Sequence, residues 1–194
     1  MGEDPGSFEV FHDGMVQSLA PLTPYECVIA ENLISIEWEI FQHRRMRDAA
    51  VRKSIRNAIC AAAIARGKKA YETTQQEAWD EHVEAGGTED DWQDWYEWDD
   101  PFLGEKETSR NAGLELARKA VSTDPEDYAA ACAEIEAMGL TFIDLMGEAY
   151  QPRNWQVKEH EDKLKELERR RREVKRDFDG LQNARPFEGE VIEG

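Results

Sequence analysis

Glu39 and His43 stand four residues apart, which places both on one face of a helix. A carboxylate and an imidazole so placed can share a metal ion. Di-metal helical sites ask for a Glu-x-x-His step on each of two helices plus two further carboxylates. No such step is expected in this chain, and His12, His82 and His160 are read as lacking matching partners. Glu26 with Glu31, or Glu134 with Glu136, could hold Mg²⁺ in an all-α hydrolase. The chain carries 42 Asp and Glu, so pairs at such spacings arise by chance, and a solvated helix face accounts for them. Nucleophilic chemistry has no support. There is no Gly-x-Ser-x-Gly, and none of Cys27, Cys60 and Cys132 lies near a His. Gly86-Gly87 is a turn and lacks the Lys and the spacing of a phosphate-binding loop. The residue types therefore point to binding, with no catalytic group, cofactor or metal expected.

The strongest local anomaly is residues 72–107, with 14 acids against one base, Lys106. Four of the six Trp lie there: Trp79, Trp92, Trp95 and Trp98. Trp92, Trp95 and Trp98 drift slowly around one helical stripe. Asp90, Asp91, Asp94, Glu97, Asp99 and Asp100 flank it. One explanation is a Trp stripe packed on the long helices with solvated acids around it. The other is a partner site, because Trp is enriched among residues that dominate binding and carboxylates suit a basic surface. The second anomaly is the stretch 43–69, with nine Lys and Arg and one acid, Asp48. Arg44, Arg45, Arg52, Lys53 and Arg56 are its candidate nucleic-acid contacts. The competing explanation is internal pairing with Glu on the last helix.

The elements that must position these residues are helical throughout. Glu3-Asp4-Pro5 opens a short helix whose apolar face is Phe8, Phe11, Met15 and Leu19, and Pro21 ends it. Thr23-Pro24-Tyr25-Glu26 is a capping-box start. No Pro follows until Pro101, so one helix extends from Pro24 to Arg66 and on past Gly67 toward Glu84. A short helix through Trp92, Trp95 and Trp98 is expected after Gly86-Gly87, then segments at 108–121, 125–138 and 140–150. The last helix covers 154–184. Val157, His160, Leu164, Leu167, Arg171, Val174, Phe178 and Leu181 alternate by three and four residues, a heptad seam with two polar interruptions. Such a seam needs a partner helix, and the long second helix or a second copy of the chain would serve.

The first 60 residues and the last helix resemble a family of bacterial proteins of uncharacterised activity. Gly2-Glu3-Asp4-Pro5, Phe8, Leu19-Ala20-Pro21, Thr23-Pro24, Glu26, Glu31, Trp38 and Arg44-Arg45 follow its N-terminal pattern. Arg171-Arg172, Phe178, Leu181-Gln182 and Arg185 follow its C-terminal one. The acidic middle, 72–150, departs from it. The resemblance implies a pair of long helices and an association with phage and other mobile elements, and implies no mechanism.

Composition bounds the rest. The chain has 194 residues and a formal net charge of −18. That balance argues against non-specific nucleic-acid binding by the whole molecule. No apolar run is long enough to cross a membrane, no signal-like leader precedes the first helix, and three scattered Cys suit a reducing cytoplasm. The expected fold is all-α: an elongated long-helix hairpin, coiled-coil-like, with smaller helices inserted between the two long ones. Its expected divisions are 1–71, 72–150, 151–185 and a flexible tail, 186–194. The expected function is non-enzymatic: the acidic Trp-rich region binds a basic nucleic-acid-handling protein and mimics nucleic acid. The alternatives are a nucleic-acid-binding accessory protein using the basic helix, an all-α Mg²⁺ hydrolase, and an assembly protein that dimerises through the heptad helix.

Overall fold

The computed structural model describes residues 5–89, 92, 102–151 and 154–185. Among the described residues every regular element is an α-helix: α1 (Pro5–Leu19), α2 (Pro24–Glu84), α3 (Leu103–Lys119), α4 (Pro125–Ala137), α5 (Phe142–Ala149) and α6 (Trp155–Asn183). The expected single long helix is present, 61 residues without a break. The packing groups the chain into two compact units, Met1–Ala49 with Asn154–Gly194, and Ala50–Arg153.

In the first unit α6 runs antiparallel to the N-terminal half of α2, so the two long helices pair as a hairpin does. Ile36 and Ile40 of α2 close on Leu164 and Leu167 of α6, with Val174 beside them. The heptad positions Val157, Leu164, Leu167 and Phe178 are all buried within the chain. Each polar interruption of the seam meets a polar residue of α2. His160 Nδ1 lies 3.1 Å from His43 Nδ1, and Arg171 donates to Glu37 at 3.5 Å. Arg44 and Arg47 add ion pairs to Glu168 and Glu161. α1 covers α2 from another side, with Phe8 and Phe11 stacked on Trp38.

The three helix ends of this unit are tied together by two side chains. Thr23 and Glu26 form the expected capping box: the Glu26 amide donates to Thr23 Oγ1, and the Thr23 amide donates to Glu26 Oε2. Glu26 is the one buried charged residue among the described residues, 2 % exposed. Arg185, from the end of α6, grips both oxygens of Glu26 at 2.9 and 2.6 Å and also reaches the Ala20 carbonyl. Gln182 donates to the Leu19 carbonyl at 2.8 Å. The unsatisfied carbonyls at the end of α1 thus receive donors from α6, and a carboxylate sits at the start of α2.

Two histidines of this unit, His12 and His43, titrate in opposite senses. Burial, then the His160 charge, hold the His43 pKa below its ordinary value, with Lys163 acting the same way and Glu39 and Glu159 opposing. Folded His43 therefore binds protons less readily than the unfolded residue, and stability falls as pH drops below about 6.5. The Glu31 hydrogen bond raises the His12 pKa, so the His12 contribution is present below pH about 6.5 and fades as pH rises through the folded value. The variant His43→Leu/His160→Leu is expected to lose the His43 component. With the opposing His12 term left in place, its Tm should fall less than that of the parent, or rise more, on going from pH 7 to 5, measured by circular dichroism at roughly half-unit steps. An unaltered pH slope would contradict this assignment.

The second unit packs α3, α4 and α5 with the C-terminal part of α2. Its core is Ile59, Leu116, Ala120, Ala131, Ile135 and Leu145, joined by Ile55, Ala58 and Met138. Asp124 caps α4 by accepting from the Glu126 amide, with Pro125 in the first turn. Thr141 and Asp144 form a full capping box on α5. Cys60 is buried where α3 crosses α2, a packing role.

Candidate protein-binding site

The last turns of α2 carry Trp79 and His82, three residues apart and so on one face. The helix ends in a turn built on Gly86, whose φ of +88° favours glycine. The Gly86 amide donates to the Val83 carbonyl and the Gly87 amide to the His82 carbonyl, the pattern of a left-handed helix cap. The chain turns back so tightly that a Cβ on Gly87 would fall 2.2 Å from the His82 ring. His82 Nε2 lies 3.1 Å from the Thr88 carbonyl oxygen, which makes it the donor and fixes that tautomer.

This turn delivers Trp92 onto the helix. Trp92 meets Trp79 edge-on, with ring centroids 5.2 Å apart and planes at 86°. It lies 5.1 Å from His82, which is itself 5.9 Å from Trp79. Both Trp are half-buried, so each keeps exposed ring surface. Around them Glu72, Glu77, Asp80, Glu81, Glu84 and Glu89 are exposed. Lys68 pairs with Glu72, and Gln76 donates to Asp80. Among the described residues Glu77, Asp80, Glu81, Glu84 and Glu89 have no cationic partner within ion-pair distance. An aromatic cluster rimmed by uncompensated carboxylates can bind a surface that offers both cations and flat apolar area.

Of the residues expected at this site, Trp92 is described and belongs to the cluster. Asp90, Asp91, Asp94, Trp95, Glu97, Trp98, Asp99 and Asp100 lie outside the described residues, as does most of the short helix expected there. His82 is the member that sequence reasoning missed. Its signal was the three-residue step from Trp79 followed at once by Gly86-Gly87.

The basic stretch divides in two. Arg44 is engaged by Glu168 at 3.0 Å, and Arg45 lies over the Phe41 ring at 5.5 Å. Arg66 reaches Glu134 at 3.8 Å. Arg52, Lys53 and Arg56 are exposed and have no ion pair among the described residues.

The acids considered for metal chemistry have other work. Glu26 is occupied by Arg185 and backbone amides, Glu31 by His12 at 3.0 Å, and Glu134 by Arg66. Glu9 and His12 do make one Glu-x-x-His step, overlooked in the sequence, yet His12 turns to Glu31 and Asp13. No group of three or more His, Cys, Asp or Glu suited to a metal ion occurs among the described residues. No described helix is long and apolar enough to cross a membrane. Comparison with known proteins finds no matching family model, no matching curated sequence and no matching solved structure.

Proposed function

We propose that the protein is a non-enzymatic interaction protein whose acidic, Trp-bearing region docks on a basic nucleic-acid-handling protein. The observation that carries this reading is the Trp79–His82–Trp92 cluster set among exposed carboxylates, five of which have no counter-ion among the described residues. The sequence continues with Asp90, Asp91, Asp94, Glu97, Asp99 and Asp100, which extend the same charge. On this reading the carboxylates take the place of phosphates and the Trp rings take the place of stacked bases. Association is steered by charge and weakens with salt. A mobile-element origin and an inhibitory action on a host nuclease or defence complex fit that chemistry, and a reducing cytoplasm fits the unpaired Cys.

The test is capture of partners from a nuclease-treated bacterial lysate by the tagged full chain and by two variants. Trp79→Ala/Trp92→Ala removes the ring surface. Neutralising Glu77, Asp80, Glu81, Glu84 and Glu89 to Gln or Asn removes charge alone. Each is expected to lower retention of a salt-eluted basic protein by about tenfold or more, the usual scale for a Trp anchor or a charge cluster. Equal retention by parent and both variants would refute the reading.

A second reading draws on Arg52, Lys53 and Arg56, which are exposed, have no ion pair among the described residues and could meet a phosphate backbone. Replacing all three by Gln should abolish retention on immobilised duplex DNA at low salt if that reading holds.

A further inference from the structure

The first unit contains an open cleft of about 780 Å³ between α1, α2 and α6. That volume falls in the usual range for small-molecule sites. One wall is apolar, made by Met15, Leu19 and the fully buried Leu33. The facing wall is α6, which presents Arg171, Arg172, Lys175 and Arg176. Two carboxylates share the cleft, and each is already spoken for. Glu37 accepts from Arg171, and Asp179 pairs with Lys175. Arg172 and Arg176 are exposed, have no ion pair among the described residues, and stand one helical turn apart on the same face. The cleft therefore holds an excess of two positive charges in a chain of net charge −18.

Those features constrain the ligand. Two guanidinium forks one turn apart suit a phosphoryl group, which each can grip through paired N–H donors. The apolar wall suits a flat, weakly polar body. Ser18 and Asn183 on the rim add a hydroxyl and an amide, able to donate and accept at the edge of such a body. A long polyanion would feel the repulsion of the remaining acidic surface, while a compact one feels chiefly the cleft. We propose that this cleft binds a nucleoside phosphate, with Arg172 and Arg176 on the phosphate and the base against Met15 and Leu19. The site uses none of the residues of the acidic Trp cluster, so it stands or falls separately from the proposed docking function.

The test is isothermal titration of the full chain with ADP at low ionic strength. One site per chain is expected, with a dissociation constant on the order of 0.1–1 mM, reasonable for an exposed cleft with two free arginines. Inorganic phosphate and adenosine, titrated alone, should each bind at least about tenfold more weakly, because each supplies half of the contacts. Arg172→Glu/Arg176→Glu should abolish binding, and Arg110→Glu, on the exposed face of α3, should leave it unchanged. Arg172→Lys/Arg176→Lys keeps the charge and the helix but loses the fork, and should weaken binding about three- to tenfold. Three results would overturn the proposal. The first is no saturable ADP binding up to about 5 mM, far above the expected constant. The second is ADP binding that survives in the Lys variant at parental strength and in the Glu variant. The third is binding of a 20-base-pair duplex through the same arginines with no binding of ADP, which would make the cleft a contact for a polymer backbone.

Discussion

Glu26→Ala is expected to give the largest loss of thermal stability of any single polar substitution in the first unit. The carboxylate satisfies the Leu22 and Thr23 amides and takes two of the three hydrogen bonds of Arg185. Removing it strands a guanidinium and two helix-end amides at once, and stranded charge is costlier than an absent pair. A fall in Tm on the order of 5–10 °C is expected by circular dichroism. The double variant Glu26→Ala/Arg185→Ala should recover part of that fall, because no unpaired charge remains beside the Ala20 carbonyl. A double variant less stable than the sum of the two singles would contradict this account. The same contacts set an acid limit. Chiefly the Arg185 hydrogen bond, and then the Leu22 amide, hold the Glu26 pKa down to about 2 from an ordinary 4.5. The unfolded chain therefore binds more protons between those values, so the contribution is complete above pH 4.5 and is lost as pH falls toward 2. Glu26→Gln should flatten the stability curve in that window.

Gly113→Ala is the second large effect, and its sign runs against helix propensity. Gly113 is buried in the middle of α3, where Ala would ordinarily gain about 0.5–1 kcal/mol. A Cβ there would lie 2.8 Å from the Cys60 Cα and 3.0 Å from the Ala63 Cβ. The nearer atom is backbone and cannot rotate away, so α3 must move off α2 and open the Ile59–Leu116 core. A net destabilisation of about 1–3 kcal/mol is expected for Ala, and more for Val. Gly14→Ala is the control. Gly14 lies mid-helix in α1 with nothing within 4 Å of its would-be Cβ, and the substitution should stabilise by a few tenths to about 1 kcal/mol. Denaturant unfolding that ranks the two in the opposite order would show that α3 and α2 do not approach through Gly113.

Local signals carried much of the fold. The 61 residues of α2 follow from a Pro-capped start and the lack of any Pro before the Gly86 turn. The α6 seam follows from its three-and-four spacing, and the Thr23–Glu26 box from adjacent residue types. What those signals could not supply is register between distant segments. His160 and Arg171 stand out as polar members of an apolar seam, but nothing local names His43 and Glu37 as their counterparts, 117 and 134 residues away. Arg185 reads as an ordinary basic helix end until α1 and α2 bring Ala20 and Glu26 to it. The grouping of the packing at Ala49 and Ala50 leaves no trace in the sequence, because α2 passes through it with its hydrogen bonds unbroken and only its neighbours change. The candidate site was legible as composition, acids and Trp together, while the Trp79–His82–Trp92 cluster needed the Gly86-Gly87 turn to assemble it.

The central claim is that the acidic Trp-bearing surface occupies a site meant for nucleic acid. The most direct measurement is displacement. The tagged chain is loaded with partner from a nuclease-treated lysate, washed, and challenged with duplex DNA or structured RNA at fixed ionic strength. The account predicts that nucleic acid releases a basic nucleic-acid-handling protein in proportion to its concentration, and that the Trp79→Ala/Trp92→Ala chain retains none of that protein to release. A partner that stays bound under excess nucleic acid, or one retained only when nucleic acid is present to bridge it, would contradict it.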